Sequence, residues 1–285
     1  MKTIFIIPLV LFACLTLSNC QEGSIRLIVR GDDIGSTHAA NLGCIESYKN
    51  GIMTTVEIMV PCPWYPEAVK LLNENPGLDV GVHVTITSEW ENFKWGPITH
   101  APSLTDEYGY FYPMIWANDE FPAERALREQ DWKIEEIEQE MRAQIERAMK
   151  DIPQISHVSC HMGCSNWDDQ VREVYRKIVK EYNLEIDLRG SNVEGLPVEG
   201  KGETLEERIH NFVEALKKTE KGKTYMFVEH PALATPEMEA IGHSGYYGVN
   251  LDRDLVTKVF TSEEVKKVIK ERGIELISYK DLGEK

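Results

Sequence analysis

Along the chain, short apolar or β-branched runs alternate with longer stretches in which apolar residues recur every three or four positions. The runs lie at 27–30, 55–60, 79–84, 155–160, 184–188, 225–228 and 274–277, each of strand length. Helical periodicity fills the intervals at 38–50, 65–75, 132–150, 168–182, 205–219 and 262–272. In the 132–150 stretch Ile134, Ile137, Met141, Ile145 and Ala148 lay one apolar stripe along a helix, which predicts packing on a sheet. Thr261 and Glu264 are spaced as a capping box for the last helix. Alternation of this kind requires right-handed crossovers and a mostly parallel sheet. About seven strands in 285 residues predict an irregular α/β barrel related to the (β/α)8 type, with a doubly wound open sheet as the alternative.

Residues 88–132 break the alternation. No strand or long helix is evident there, yet the segment holds four of the six tryptophans, Trp90, Trp95, Trp116 and Trp132. Flat aromatic faces beside polar groups suit the C–H faces of sugars, and Trp90 and Trp95 are the expected substrate contacts; the competing reading is a small core that folds the insertion on itself.

The first twenty residues read differently again. Lys2 precedes an apolar run from Ile4 to Leu17, short for a bilayer span and suited to an export signal. Leu17-Ser18-Asn19-Cys20 resembles a lipobox, so residues 1–20 are expected to direct export to the periplasm or cell surface, with ordinary secretion as the rival. Membrane contact is expected only through a lipid on Cys20, and residues 21–285 are expected to form a single domain. With 31 Lys plus Arg against 47 Asp plus Glu, the net charge of −16 repels phosphate backbones and anionic headgroups, which excludes nucleic acid as a partner and leaves neutral ligands open. Self-association is left open. Cys44, Cys62, Cys160 and Cys164 are too few for a disulfide scaffold, and Cys160-x3-Cys164 lacks the second pair that structural zinc draws on.

Candidate chemistry follows from position. In parallel α/β sheets the residues just beyond the strand C-termini line the ligand site. Here those are Asp32 and Asp33, His83, His161, Arg189 and His230. Two imidazoles and a carboxylate suit a divalent metal with open positions, and Asp33, His83 and His161 could supply that set, with Asp32 beside them as a base. Asp-Asp ahead of Gly35-Ser36 is equally a turn and helix cap when taken alone. His157 and His161 have the spacing of a helical metal pair but fall on a strand pattern. His38 is a candidate support for Asp33, whereas His100, His210 and His243 read as loop or surface residues.

Gly31-Asp32-Asp33-Ile34-Gly35, Gly51-Ile52-Met53-Thr54-Thr55, the run from Pro76 to Thr85, His157-Val158-Ser159-Cys160-His161 and Glu229-His230-Pro231 together resemble the successive motifs of the YdjC-like carbohydrate deacetylases. The resemblance implies a (β/α)-barrel-like fold that removes acetyl groups from N-acetylated sugars, notably chitooligosaccharides, with a divalent metal; imidazole ligands suit Zn2+, and a carboxylate with waters also accepts Mg2+. It implies metal ligation by Asp33, His83 and His161, Asp32 as base and His230 as general acid; Arg189 is a further candidate for a sugar hydroxyl. Two departures stand out: family members often carry a histidine where this chain has Gly163, and Gly31 replaces the usual residue before the Asp pair. Rival readings are a glycoside hydrolase, a glycan-binding surface lipoprotein and a metal phosphoesterase, the last disfavoured by the acidic surface.

Overall fold

The computed structural model describes residues 23–186 and 188–282, so the export and lipobox expectation for residues 1–20 lies outside the described residues. Seven strands are found among them: β1 (Ile25–Ile34), β2 (Thr55–Ile58), β3 (Asp79–Val84), β4 (Ile155–Cys160), β5 (Val193–Gly195), β6 (Thr224–Glu229) and β7 (Ile274–Ile277). All their pairings are parallel. The order is β4-β3-β2-β1-β6-β5. The ten-residue β1 is the axis of the sheet, because it pairs with β6 on one side and on the other with β7 over Ile25–Ile28 and then with β2 over Arg30–Ile34. Among the described residues no pairing joins β4 to β5, so the expected barrel is irregular and open on that side.

Helices α1 (His38–Lys49), α2 (Tyr65–Asn73), α3 (Ile134–Asp151), α4 (Asp169–Glu181), α5 (Leu205–Lys218), α6 (Val249–Phe260) and α7 (Glu263–Arg272) connect and cover the strands. The apolar stripe of α3 buries Ile137, Met141, Ile145 and Ala148 as its periodicity requires. On the same face Gln144 accepts from the Thr85 N–H at 2.9 Å and donates to the Thr85 carbonyl at 2.7 Å. The helix thereby satisfies the backbone just past the end of β3 and fixes where that strand stops.

Three local expectations need correction. The fifth strand is Val193–Gly195, only three residues long, and residues 184–186 and 188 of the expected one lie outside any strand. The apolar side chains that suggested it are used for burial without a ladder: Leu184 joins the main core, and Ile186 and Leu188 pack against Ile28, Ile277, Tyr279 and Leu282. The cap of α7 is Ser262, with no side-chain cap bond, and the reciprocal capping box belongs instead to Thr204 and Glu207 at the start of α5. Helix α6 was not foreseen, because it buries Arg253 and Thr257 alongside Val249, Val256, Val259 and Phe260, which blurs its apolar stripe.

The aromatic insertion packs into the main core, which takes in its Trp90, Trp95, Phe111, Ile115 and Leu127. Trp90, Trp95, Phe111 and Phe121 are buried. Buried Glu140 of α3 clamps it by accepting from the Ile98 and Thr99 N–H groups at 3.0 Å and from the Thr99 hydroxyl. Charge-assisted bonds of this kind are the stronger class, so the insertion is anchored to the barrel. Among the described residues no helix is long and apolar enough to cross a membrane.

Candidate active site

The strand ends place Asp33, His83 and His161 together. One ligand atom from each lies within 4.8 Å of the other two, and all three residues are buried. The convergence begins with a register shift between β1 and β2 from Gly31 to Ile34, which lets the adjacent Asp32 and Asp33 both turn toward the strand ends. Asp33 sits at φ +73°, in the left-handed region, a conformation that costs a non-glycine residue of order 1–3 kcal/mol and is retained where the surroundings impose it. Here the Ser36 N–H and hydroxyl both donate to the Asp33 carbonyl, at 3.2 and 2.6 Å. Gly31 is explained by space: a Cβ there would lie 2.3 Å from the Met53 sulfur and 3.2 Å from Pro231.

Each of the three side chains has a defined set of partners. Asp33 Oδ2 receives Arg253 Nη2 at 2.9 Å, while Oδ1 is buried without a hydrogen-bond partner. Burial would raise the Asp33 carboxyl, but Arg253, His230 and His161 hold it well below the usual carboxylate range. His83 Nδ1 lies 2.7 Å from Ser159 Oγ, whose single proton goes to Glu57. The hydroxyl therefore accepts from Nδ1–H, which leaves the Nε2 lone pair aimed at Asp32 and Asp33, 3.8 Å from each. Burial pushes the His83 imidazole down to about 4, so it is neutral at physiological pH. His161 points Nδ1 at Asp33 Oδ1, 3.4 Å away, and Nε2 at Glu89, 3.0 Å away. Burial works against its charge, but Glu89 and Asp33 raise it to about 10.

This donor set fits a divalent cation. A neutral imidazole with a free lone pair, an ionised carboxylate with an orphaned buried oxygen, and a second imidazole whose far nitrogen is fixed by a carboxylate are what a two-histidine, one-carboxylate site requires. The chemistry of the ligands does not separate Mg2+ from Zn2+.

Asp32 stands beside the cluster, held by Arg30 through two bonds, Nε to Oδ1 at 2.6 Å and Nη2 to Oδ2 at 2.7 Å. Arg30 also approaches Glu57 at 3.5 Å, and His157 Nε2 meets Glu57 at 2.6 Å. His157 thus belongs to a buried network under the site and is remote from ligation. His230, at the end of β6, has a half-exposed side chain and acts electrostatically on Asp33. His38 directs its Nδ1 to Glu67 at 2.9 Å and not to Asp33, so its expected support role is not seen.

The expected substrate contacts fare less well. Trp90 and Trp95 are each 3% exposed. Trp90 is covered by His243, its ring centroid 5.5 Å away, and by the Arg253 guanidinium at 5.3 Å. Trp95 donates its Nε1–H to the Thr87 carbonyl at 2.8 Å and packs edge-on to His161. Both wall the cluster and neither offers a free face. Arg189 lies on an exposed turn, because the strand expected before it does not form.

Four residues of the site were not identified from the sequence: Arg30, Glu57, Glu89 and Arg253. A signal did exist for two of them. Arg30 and Glu57 are charged residues inside apolar runs, and charge in a buried strand needs a partner. Glu89 and Arg253 come from the insertion and from the unforeseen α6, where no strand pattern marks them.

A family model described as "YdjC-like protein" matches residues 26–271. A carbohydrate deacetylase from Enterococcus faecalis is 27% identical over 274 residues, covering 90% of this chain and 98% of that protein. One from Thermus thermophilus is 35% identical over 172 residues, 60% of this chain and 56% of that one. Among solved structures, a proposed cellobiose-phosphate cleavage protein from Enterococcus faecalis aligns with a TM-score of 0.68 at 25% identity, covering 91% of this chain and 99% of its own. The match spans every strand-end motif that builds the cluster, and the chain belongs to the YdjC-like family.

Proposed function

We propose that the protein is a metal-dependent deacetylase of N-acetylated sugars, with chitooligosaccharide-type compounds as the substrate class. The observation that carries this reading is the buried convergence of Asp33, His83 and His161, with an unpartnered Asp33 oxygen, next to a carboxylate that is not itself part of the set. The naming of similar proteins as carbohydrate deacetylases supports the choice of reaction.

Asp33, His83 and His161 would hold the ion, which when bound polarises an acetyl carbonyl and makes a water more acidic. Asp32 takes the proton of the attacking water. Its two bonds to Arg30 fix the direction of the carboxylate, so the base is placed before substrate arrives. Attack on the acetamide carbon builds negative charge on the carbonyl oxygen, and the amine leaves only if protonated. His230, the half-exposed imidazole just past the end of the neighbouring parallel strand β6, delivers that proton to the sugar nitrogen. Glu89 and Ser159 hold the far nitrogens of His161 and His83. Export directed by residues 1–20 would bring the enzyme to glycans outside the cytoplasm.

The test is acetate release from a panel of acetylated mono- and oligosaccharides, with Mg2+, Zn2+, Mn2+ and Co2+ added in turn after chelation. Release that needs a divalent ion is expected. An inert protein under every ion and substrate would reject the proposal, and shortening of the oligosaccharide without acetate would replace it with glycoside hydrolysis.

A further inference from the structure

Around the buried cluster, Trp116 presents an exposed apolar face. Trp116 is 41% exposed, and beside it Met162, directly after the ligand His161, is 39% exposed. The backbone of Trp116 is held firmly. Met114 and Ile115 before it are buried, and their carbonyls accept from the Leu127 and Arg128 N–H groups at 2.8 and 3.0 Å. The indole therefore projects from a fixed backbone stem, and with two side-chain torsions a tryptophan has little to order on binding.

Its position is set by Gly163, in the short turn that begins with His161. A Cβ on Gly163 would lie 3.2 Å from Trp116 Cη2 and 3.4 Å from Cζ3, so the six-membered ring covers this glycine. Gly163 itself has φ +70°, which a side chain would make costly. The space that a side chain at 163 would fill is thus given to an aromatic ring two residues from a metal ligand.

We infer that Trp116 is a substrate platform: its exposed face, extended by Met162, stacks on a pyranose ring adjacent to the one whose acetyl group is removed. The inference rests on the deacetylase reading and deepens it. Aromatic rings take the C–H face of a sugar while the hydroxyls stay hydrated. Trp90 and Trp95, closed in by Arg253, His243 and His161, cannot serve this way.

The experiment compares Trp116→Ala and Trp116→Phe in the metal-loaded protein, using a β-1,4-linked N-acetylglucosamine trisaccharide and the single sugar. Trp116→Ala should raise KM for the trisaccharide about tenfold with kcat and metal content unchanged, move the single sugar less than about twofold, and be rescued by Trp116→Phe. An unchanged trisaccharide KM, an equal loss on both sugars, or loss of metal overturns the platform. Trisaccharide binding is also measured directly by calorimetry. Binding that weakens in Trp116→Ala while the wild type releases no acetate would sink the deacetylase reading alone, and absence of binding to the wild type would sink the platform as well.

Discussion

The strand-end cluster and the aromatic insertion are built from equally suggestive residues, and Trp90 and Trp95 are as buried as Asp33, His83 and His161, yet only the cluster has unfinished bonding. In the insertion the polar atoms are closed off: Trp95 Nε1–H reaches the Thr87 carbonyl, and Glu140 takes two backbone N–H groups and a hydroxyl. In the cluster, Asp33 Oδ1 has no hydrogen-bond partner and His83 Nε2 faces two carboxylates at 3.8 Å, beyond hydrogen-bond reach. A buried polar atom left unpartnered costs about 1–3 kcal/mol, and the one in the cluster is a carboxylate oxygen faced by two imidazoles, at 3.4 and 3.8 Å, which a cation would satisfy. Residue type alone suggests function in both regions. Saturation of partners tells them apart.

Breaking the unsaturated region should produce the largest effects. Asp33→Ala and His161→Ala should lose bound metal and turnover together, read by elemental analysis and acetate release. Asp33→Ala carries a second cost, because it strands Arg253 in the interior; removing one member of a buried ion pair costs about 3–5 kcal/mol, visible as a lower denaturation midpoint. Asp32→Asn should keep the metal and lose about a hundred- to ten-thousand-fold in kcat. Metal loss in Asp32→Asn would move that residue from base to ligand.

A finer cut tests the supports of the cluster. Glu89→Gln keeps the size of the side chain and removes the charge on His161 Nε2, so metal affinity should fall about 10- to 100-fold, measured by competition with a chelating dye. Equal affinity in wild type and variant would show that Glu89 does not orient the imidazole.

The sequence makes one of these regions far more readable than the other. Asp33, His83 and His161 were legible because parallel strands deliver their C-terminal residues to one end of a sheet, so position in the pattern stood in for position in space. Arg30 and Glu57 could have been found from charge within buried runs. Arg253 could not, since α6 mixes buried Arg253 and Thr257 into its apolar face. The strand expected at 184–188 failed for a related reason: a short apolar run records that side chains are buried and does not say whether a neighbouring strand is there to pair with it. In the insertion, aromatic composition was visible while exposure was not, so Trp90 and Trp95 read as sugar contacts although only Trp116 of this segment's four tryptophans is exposed.

Within the saturated region the effects should be on stability. Trp95→Phe deletes the bond to Thr87 and leaves a buried carbonyl short of a donor, at a cost of about 1–3 kcal/mol. Its KM for an acetylated oligosaccharide should stay within about twofold of wild type. A large rise in KM without loss of stability would return Trp95 to the substrate and blur the contrast between the two regions.

The smallest effect is expected at Arg189. Its strand-end position vanished with the strand, and its exposed turn lies before the three-residue β5, at the open edge of the sheet. A substitution at an exposed site away from buried networks ordinarily changes stability by no more than about 0.5 kcal/mol. Arg189→Ala should therefore match wild type in denaturation midpoint, metal content and kcat/KM. The comparison is sharp because Arg189 and Arg253 were not distinguishable by residue type: one arginine sits in water and the other holds Asp33 at 2.9 Å. If Arg189→Ala were to cost as much as the loss of Arg253, the edge beyond β4 and β5 would have to close over the substrate, and the openness of the barrel would be a feature of the free enzyme alone.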